Sequence, residues 1–182
     1  MNFFELLENR PFVGNVLKQY ILFMLLYVVI RIAYLILQGK WNHKKEISYF
    51  IGMLYLNFVI ALTMTPLELT MDRVSIAERI QLVPFDTVTR YWPLDGEYSL
   101  YNIIGNLILM IPILPVLRYC FDVKSIKKAF FFTIFFTLSI EVLQLFFTTA
   151  RAFDVDDIIL NITGFCISAV IWWLLQKVKV VK

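Results

Sequence analysis

Polar and charged side chains recur at helical spacing within the hydrophobic second half of the chain. They form three sets on successive segments: Asn102 with Asn106; Glu141 with Gln144; and Asp154, Asp157 and Asn161. Residues three, four or seven positions apart share one face of a helix, so each set occupies a single face. An ionisable group inside a membrane segment costs about 2.5 to 3.5 kcal/mol on insertion scales, which makes these residues candidates for a functional site.

The chemistry available at these positions is hydrogen bonding, charge pairing and proton transfer. The asparagine and glutamine amides both donate and accept hydrogen bonds, and Arg151 can bind a phosphate or a carboxylate. Glu141 has the chemistry of a general base, while Asp154 and Asp157 offer the hard oxygen ligands that a divalent cation prefers. An interior polar network is the structural alternative for the whole set.

The elements that carry these residues are membrane helices. The chain of 182 residues is 60% hydrophobic and only 17% charged, with a mean hydropathy of +0.74, which exceeds what a soluble domain of this size buries. Mostly apolar stretches long enough to cross a core of about 30 Å occupy residues 20–37, 47–64, 98–117, 129–150 and 158–175. We predict an all-α integral membrane bundle of about five transmembrane helices, forming a single domain.

The distribution of charge predicts the orientation of these helices. Segments 38–46, 118–128 and 176–182 contain ten basic residues and two acids, whereas the opposite side carries six basic residues and eleven acids. The positive-inside rule therefore places the N-terminus outside and the C-terminus inside. With this topology the three polar sets meet at the extracytoplasmic end, where the short link between the last two spans forms a helical hairpin. A polar pocket opening outward is the expected result.

Several residues near these sets have a structural explanation. Asp156 falls off the shared face and is assigned to the first turn of the last span, where acids favour the helix N-terminus. Pro112 and Pro115 predict a break in the third span. Gly164 is expected to permit close helix packing rather than ligand approach.

Arg31 is the second charge predicted to lie within the bundle, besides Glu141. If the first span begins near Tyr20, both side chains lie at similar depth, so they could pair near the midplane. In that case Glu141 would be structural rather than ligand-binding. Alternatively, Arg31 extends past Tyr34 to the cytoplasmic interface.

The extracytoplasmic loop 65–97 is the long connection of the chain. Arg73, Arg79 and Arg90 could meet lipid phosphates there, but six acids in the same stretch favour a solvated loop. We therefore expect Arg73 and Arg79 to be solvated.

Ordered pieces of the chain from Leu82 to Gly164 resemble VanZ-like membrane proteins. The pieces are Leu82-Val83-Pro84-Phe85; Asn102-Ile103-Ile104-Gly105-Asn106 before Ile111-Pro112; Ile140-Glu141-Val142-Leu143-Gln144; Arg151 with Asp154, Asp156 and Asp157; and Asn161-Ile162-Thr163-Gly164. The chain departs from the family pattern at Ile113-Leu114-Pro115, where a glycine and leucines are usual, and at Ser168, where a second glycine is expected. These departures concern helix packing more than the polar set.

The resemblance implies a protein of the bacterial cytoplasmic membrane. The founding member of the family confers low-level resistance to teicoplanin, a lipoglycopeptide antibiotic that acts outside the cell on peptidoglycan precursors. The resemblance thus supplies a biological setting without supplying a reaction.

The first of two open functional hypotheses is a non-catalytic binding protein that needs no cofactor. Its ligand would be a membrane lipid, a lipid-linked cell-wall precursor or the antibiotic itself. The candidate ligand-binding residues are Asn102, Asn106, Glu141, Gln144, Arg151, Asp154, Asp157 and Asn161. A small lipid carrier is a variant of this hypothesis.

The second hypothesis is an intramembrane, metal-assisted hydrolase or transferase acting on a phosphate-containing lipid. Glu141 would be the general base, and Asp154 and Asp157 would hold a divalent cation. The sequence has no H-E-x-x-H, G-x-S-x-G or P-loop motif, and its single histidine, His43, is predicted on the cytoplasmic side. Nucleic-acid binding is not expected, because the basic residues form no stripe interleaved with aromatic residues.

Overall fold

The computed structural model of the protein describes residues 11–39, 41–65, 76–92, 97–148 and 151–178. The α-helices in these ranges are α1 (Pro11–Gln38), α2 (His43–Thr63), α3 (Asp86–Arg90), α4 (Glu97–Leu109), α5 (Ile113–Cys120), α6 (Ile126–Phe147) and α7 (Val155–Lys177). A 3₁₀-helix, Ile76–Arg79, precedes strand β1 (Ile80–Gln81), which pairs in parallel with strand β2 (Phe153–Asp154).

The helices confirm the predicted all-α membrane bundle. Five segments are long and apolar enough to cross a membrane: Phe12–Gln38, His43–Thr63, Asn102–Cys120, Ile126–Phe147 and Val155–Lys177. Several bounds differ from the predicted ones, two of them for clear local reasons. The helix α6 ends at Phe147 because Thr148 has an extended backbone. The helix α7 begins early, at Val155, because the side chain of Asp154 caps its first turn.

The third span is broken, as its prolines predict. The helix α4 ends at Leu109 and α5 begins at Ile113, so the turn between them contains Pro112, which has no backbone N–H to donate. The carbonyl oxygen of Leu109 accepts a hydrogen bond of 2.6 Å from the hydroxyl of Tyr55 on α2. Pro115 lies in the first turn of α5, where proline is tolerated. The break is therefore one turn long, and a neighbouring helix satisfies one of its backbone groups.

The core surrounds this break. Met110 in the turn and Leu114 on α5 are fully buried, together with Val59 of α2 and Ala129 of α6. Phe165 of α7, which is 2% exposed, belongs to the same core. Three other membrane-spanning segments, α2, α6 and α7, thus meet around the broken helix, which fixes the position of α4 relative to α6 and α7.

Gly164 allows α4 and α7 to approach closely, as expected. A Cβ atom at this position would lie 2.2 Å from the carbonyl oxygen of Leu107 and 3.1 Å from the Cβ of Met110. We expect Gly164→Ala to lower the free energy of unfolding by about 2 kcal/mol, because the backbone of α4 must shift. Unfolding in mixed detergent micelles measures this loss.

The matched control for this substitution is Gly105→Ala on α4. A Cβ atom there meets nothing within 4 Å, so its effect should stay within about 1 kcal/mol. Equal stability of the two variants would contradict the proposed close contact between α4 and α7.

Of the two predicted positions of Arg31, the pairing with Glu141 is wrong, and the extension past Tyr34 agrees with the structure. Arg31 instead binds Glu46 on α2 through two hydrogen bonds, Nε to Oε2 at 2.7 Å and Nη2 to Oε1 at 2.9 Å. The rings of Tyr34 and Tyr49 lie 5.0 Å and 4.8 Å from its guanidinium carbon. Arg31 therefore points to the end of the bundle where α1 meets α2, and Glu141 has other partners.

Candidate functional site

Polar residues of α4, α6, α7 and the link between α6 and α7 meet at the end of the bundle where α6 ends and α7 begins. We call five of them the polar cluster: Asn106, Glu141, Arg151, Asp154 and Asp157. The Asn106 side chain hydrogen bonds to Asp157. Arg151 and Asp154 lie close enough to Glu141 and to Asp157 to interact with both electrostatically. The predicted convergence of the three polar sets is therefore present in the structure.

Glu141 is the most enclosed member of the polar cluster. Its side chain is 1% exposed, and Oε2 accepts a hydrogen bond of 3.0 Å from the backbone N–H of Asp154. This bond joins α6 to the residue that precedes α7. Because Asp157 lies one turn further along α7, the carboxylate of Glu141 is held next to a second acid.

Asp154 connects the polar cluster to the loop that follows β1. One carboxylate oxygen accepts a hydrogen bond of 2.8 Å from the backbone N–H of Asp156 and caps α7. The other accepts a hydrogen bond of 2.6 Å from the hydroxyl of Thr87 on α3. The pairing of Gln81 with Asp154 in the short parallel sheet fixes the same residue through its backbone.

Asp156 lies in the first turn of α7, as expected, but it also anchors the loop. The side chain is fully buried and accepts hydrogen bonds from three backbone N–H groups: Phe85 at 2.5 Å, Thr87 at 2.9 Å and Val88 at 3.1 Å. Phe85 has a left-handed backbone conformation, with φ of 67°, which is uncommon for a residue with a side chain. Sequence reasoning missed this anchor because its donors are backbone groups.

Arg79 is buried, so the expectation that it is solvated is wrong. Its side chain is 7% exposed, and its guanidinium donates to the carbonyl oxygens of Thr148, at 2.5 Å, and Gln144, at 3.3 Å. It also donates to the carbonyl oxygen of Arg151, with Nε at 3.0 Å. The carbonyls of Gln144 and Thr148 lie at the C-terminal end of α6, where a cation is favoured, and that of Arg151 lies in the link that follows. Arg73 lies outside the described residues.

Two further predicted site residues are buried beside the polar cluster. Gln144 is 3% exposed and donates through Nε2 to the carbonyl oxygen of Thr63, at 2.7 Å, which joins α6 to the end of α2. Asn161 is 2% exposed and donates through Nδ2 to the hydroxyl of Thr137, at 2.7 Å. The Oδ1 atom of Asn161 is buried without a hydrogen-bond partner, as is Nη1 of Arg79.

The predicted site therefore has two layers. Glu141, Gln144 and Asn161 form the buried layer. The partly exposed layer comprises Asn102, Asn106, Arg151, Asp154 and Asp157. Asn102 lies one turn before Asn106 on the same face of α4. A ligand at this end of the bundle would reach the partly exposed layer first, while the buried layer holds that layer in place.

The acids of the polar cluster do not form a recognisable metal site. Within the described ranges, no group of three or more His, Cys, Asp or Glu side chains is arranged to hold a metal ion. Each carboxylate oxygen of Asp154 already accepts one hydrogen bond, from the hydroxyl of Thr87 and from the backbone N–H of Asp156. The carboxylate oxygens of these acids can accept hydrogen bonds from a polar group.

Comparison with known proteins places this site within one sequence family. The family model described as VanZ/LLP1 matches residues 47–176, a range that includes most of α2, all of α3 to α6 and nearly all of α7. No curated protein and no solved structure matches the chain.

Proposed function

Because the chain belongs to the VanZ/LLP1 family of membrane proteins, we propose that its polar cluster binds the headgroup of a lipid-linked cell-surface molecule. The site would face the outer side of a bacterial cytoplasmic membrane. The consequence for the cell would be the low-level teicoplanin resistance that the family resemblance implies. Binding, rather than catalysis, is the proposed activity.

The observation that carries this proposal is the two-layer arrangement of the polar residues. Asn106, Arg151 and Asp157 are partly exposed at the end of the bundle, and Arg151 and Asp157 lie near the buried Glu141. Burying a carboxylate costs several kcal/mol, which a purely structural role would have to offset with complete hydrogen bonding. The neighbouring acids Asp154 and Asp157 increase this cost. A ligand that donates hydrogen bonds to these oxygens would lower it.

The charges of the site favour a headgroup that carries an anionic group together with amino or hydroxyl groups. Asp157 and Glu141 supply acceptors for amino or hydroxyl donors, and Asn106 supplies a neutral amide. Arg151 supplies the cation that a phosphate or carboxylate needs. A lipid-linked cell-wall precursor combines a phosphate with hydroxyl-bearing and amino-bearing groups. The lipoglycopeptide antibiotic offers a comparable mixture of amino and carboxylate groups.

Teicoplanin susceptibility in a sensitive Gram-positive host tests this proposal. We expect the wild-type chain to raise the minimum inhibitory concentration, and Arg151→Ala and Asp157→Asn to return it to the level of the empty vector. Loss of one charge-assisted hydrogen bond costs about 1.5 to 3 kcal/mol, which reduces affinity about tenfold or more. Immunoblots of membrane fractions establish that the variants accumulate equally.

Lys44→Ala is the control variant for this experiment. Lys44 lies in the first turn of α2, at the end of the bundle opposite the polar cluster. We expect this variant to protect as well as the wild type does. Protection that survives both Arg151→Ala and Asp157→Asn, or a wild-type chain that does not protect, would refute the proposal.

A further inference from the structure

A cleft opens beside the broken third span, at the end of the bundle opposite the polar cluster. It has a volume of about 250 Å³ and lies between the turn that contains Pro112, the helix α5 and the second half of α7. We call it the proline cleft and define it by Pro112, Pro115, Tyr119, Ser168 and Trp172. Its walls are almost entirely apolar, so an acyl chain would fit its chemistry.

A buried hydrogen-bond donor without an acceptor lies in the wall of the proline cleft. Trp172 is 4% exposed, and its Nε1 atom has no hydrogen-bond partner. Ser168, one turn earlier on α7, is 3% exposed. A buried donor that lacks an acceptor costs about 1 to 3 kcal/mol. Hydrogen-bond acceptors are scarce in such apolar surroundings. The ester carbonyl of a membrane lipid could supply one.

A cation lies directly against the same tryptophan. The guanidinium carbon of Arg118 is 4.7 Å from the centre of the Trp172 ring, and Tyr119 packs edge-on against that ring at 5.5 Å. Arg118 also donates from Nη1 to the carbonyl oxygen of Lys124, at 2.7 Å. The guanidinium is therefore held against Trp172, which lines the proline cleft, and it has further N–H groups with which to bind a ligand.

The surrounding charge at this end is basic. Lys124, Lys127, Lys128 and Lys177 are all exposed. Of the acids described at this end, Glu46 is bound by Arg31, and Asp122 is an exposed partner of Lys124 at 3.6 Å. An anionic group near Arg118 would thus meet an electrostatically favourable surface.

From these observations we propose that the proline cleft binds an anionic phospholipid. One acyl chain occupies the cleft, an ester carbonyl oxygen accepts a hydrogen bond from Nε1 of Trp172, and the phosphate pairs with Arg118. Trp172 precedes the last residue of α7, Lys177, by five positions, which corresponds to about 7.5 Å of helix. The interfacial layer of a bilayer is about 5 to 7 Å thick on each side. The tryptophan therefore lies at the depth of the ester groups when Lys177 lies at the surface.

Native mass spectrometry of the full chain in a neutral detergent tests this site. The probes are dioleoyl phosphatidylglycerol, which is anionic, and dioleoyl phosphatidylcholine, which has the same acyl chains and no net charge. We expect one molecule of phosphatidylglycerol to bind at least tenfold more tightly than phosphatidylcholine. Arg118→Gln should reduce this affinity about tenfold, and Trp172→Phe, which keeps the ring but removes the donor, about threefold.

Two neighbouring substitutions serve as controls. Lys127→Gln removes an exposed positive charge from the same end, and Trp173→Phe changes the adjacent tryptophan, which does not line the proline cleft. Both should leave the affinity within about twofold of the wild type. Equal binding of the two lipids, or undiminished binding by Arg118→Gln and Trp172→Phe, would overturn the proposal. Because this site lies opposite the polar cluster, its failure would leave the proposed headgroup site unaffected.

Discussion

Replacing Asp156 by alanine is expected to lower the free energy of unfolding by about 3 kcal/mol. The substitution removes the acceptor for the backbone N–H groups of Phe85, Thr87 and Val88. Hydrogen bonds to a charged acceptor are stronger than neutral ones, and buried donors left without an acceptor keep their full desolvation cost. Phe85 would also lose the bond that offsets its left-handed conformation, which itself costs about 1 to 2 kcal/mol.

Two measurements distinguish this anchor from a general loss of stability. Unfolding in mixed detergent micelles gives the free energy, and amide hydrogen exchange gives the opening of the loop itself. We expect exchange at Phe85, Thr87 and Val88 to accelerate in Asp156→Ala before exchange in the core of α6 does. Asp156→Asn keeps one carbonyl oxygen and should show an intermediate effect.

Asp86→Ala is the matched control because it removes an acid from the same loop. Asp86 is 41% exposed and binds Arg90 on the next turn of α3 and the amide of Gln81. Exposed ion pairs contribute between about 0 and 1 kcal/mol, so this variant should unfold almost as the wild type does. If Asp86→Ala and Asp156→Ala were equally stable, the anchoring role of Asp156 would be wrong.

Because Thr87 also touches Asp154, we expect Asp156→Ala to lose protection against teicoplanin as well.

The membrane helices and the meeting of the polar sets were predictable from sequence because both follow from periodicity. Long apolar stretches predict the membrane spans, and polar residues three or four positions apart predict a shared helix face. Asn106 and Asp157 were placed on facing surfaces in this way, and their side chains are hydrogen bonded. Pro112 predicted the break in the third span, because proline lacks the backbone N–H that would bond within the helix. Each of these features depends on residues close together in the chain.

The partner of Arg31 was not predictable by the same reasoning, because depth was counted from an assumed helix start. The helix α1 begins by Pro11 rather than near Tyr20, so Arg31 lies seven residues before its last residue, Gln38. The acid within reach is then Glu46, in the first turn of α2, and not Glu141. A modest error in a helix boundary moves a side chain by about 1.5 Å per residue, which is enough to change its partner.

The loop before α4 was not predictable because its contacts involve backbone atoms. Strands β1 and β2 have two residues each, which is too short for an alternating pattern to appear in the sequence. The acceptors of Arg79 are carbonyl groups, and the donors to Asp156 are amide groups, so neither set is marked by a residue type. The resemblance to the family says only that Leu82–Phe85 precedes Asp154–Asp157 along the chain. The structure adds that these pieces are in contact.

Replacing Arg79 by glutamine is expected to destabilise the protein by about 3 kcal/mol. Arg79 binds the carbonyl oxygens of Gln144, Thr148 and Arg151, and the described residues include no carboxylate that pairs with it. Its stabilising contribution therefore comes from the end of α6, where the helix dipole is negative, and from the link that carries Arg151. Glutamine cannot reach all three carbonyls and carries no charge.

Arg79→Lys separates the contribution of charge from that of geometry. Lysine keeps the positive charge at the end of α6 but lacks the planar group that contacts three carbonyl oxygens at once. We expect it to recover about half of the loss in unfolding free energy. Arg90→Gln is the control, since Arg90 lies in the same loop but is 65% exposed and pairs with Asp86. Its substitution should change stability by no more than about 1 kcal/mol.

The turn between α6 and α7 carries both Arg151 and Asp154, so loosening the end of α6 must also disturb the polar cluster. We therefore expect Arg79→Gln to accelerate amide exchange at Arg151 and Phe153 and to abolish protection against teicoplanin. Arg90→Gln should leave both properties unchanged. If Arg79→Gln unfolded like Arg90→Gln and kept the slow exchange of this turn, Arg79 would not hold the end of α6. The buried cation would then need a different explanation, and its unpartnered Nη1 atom would make it a candidate ligand contact.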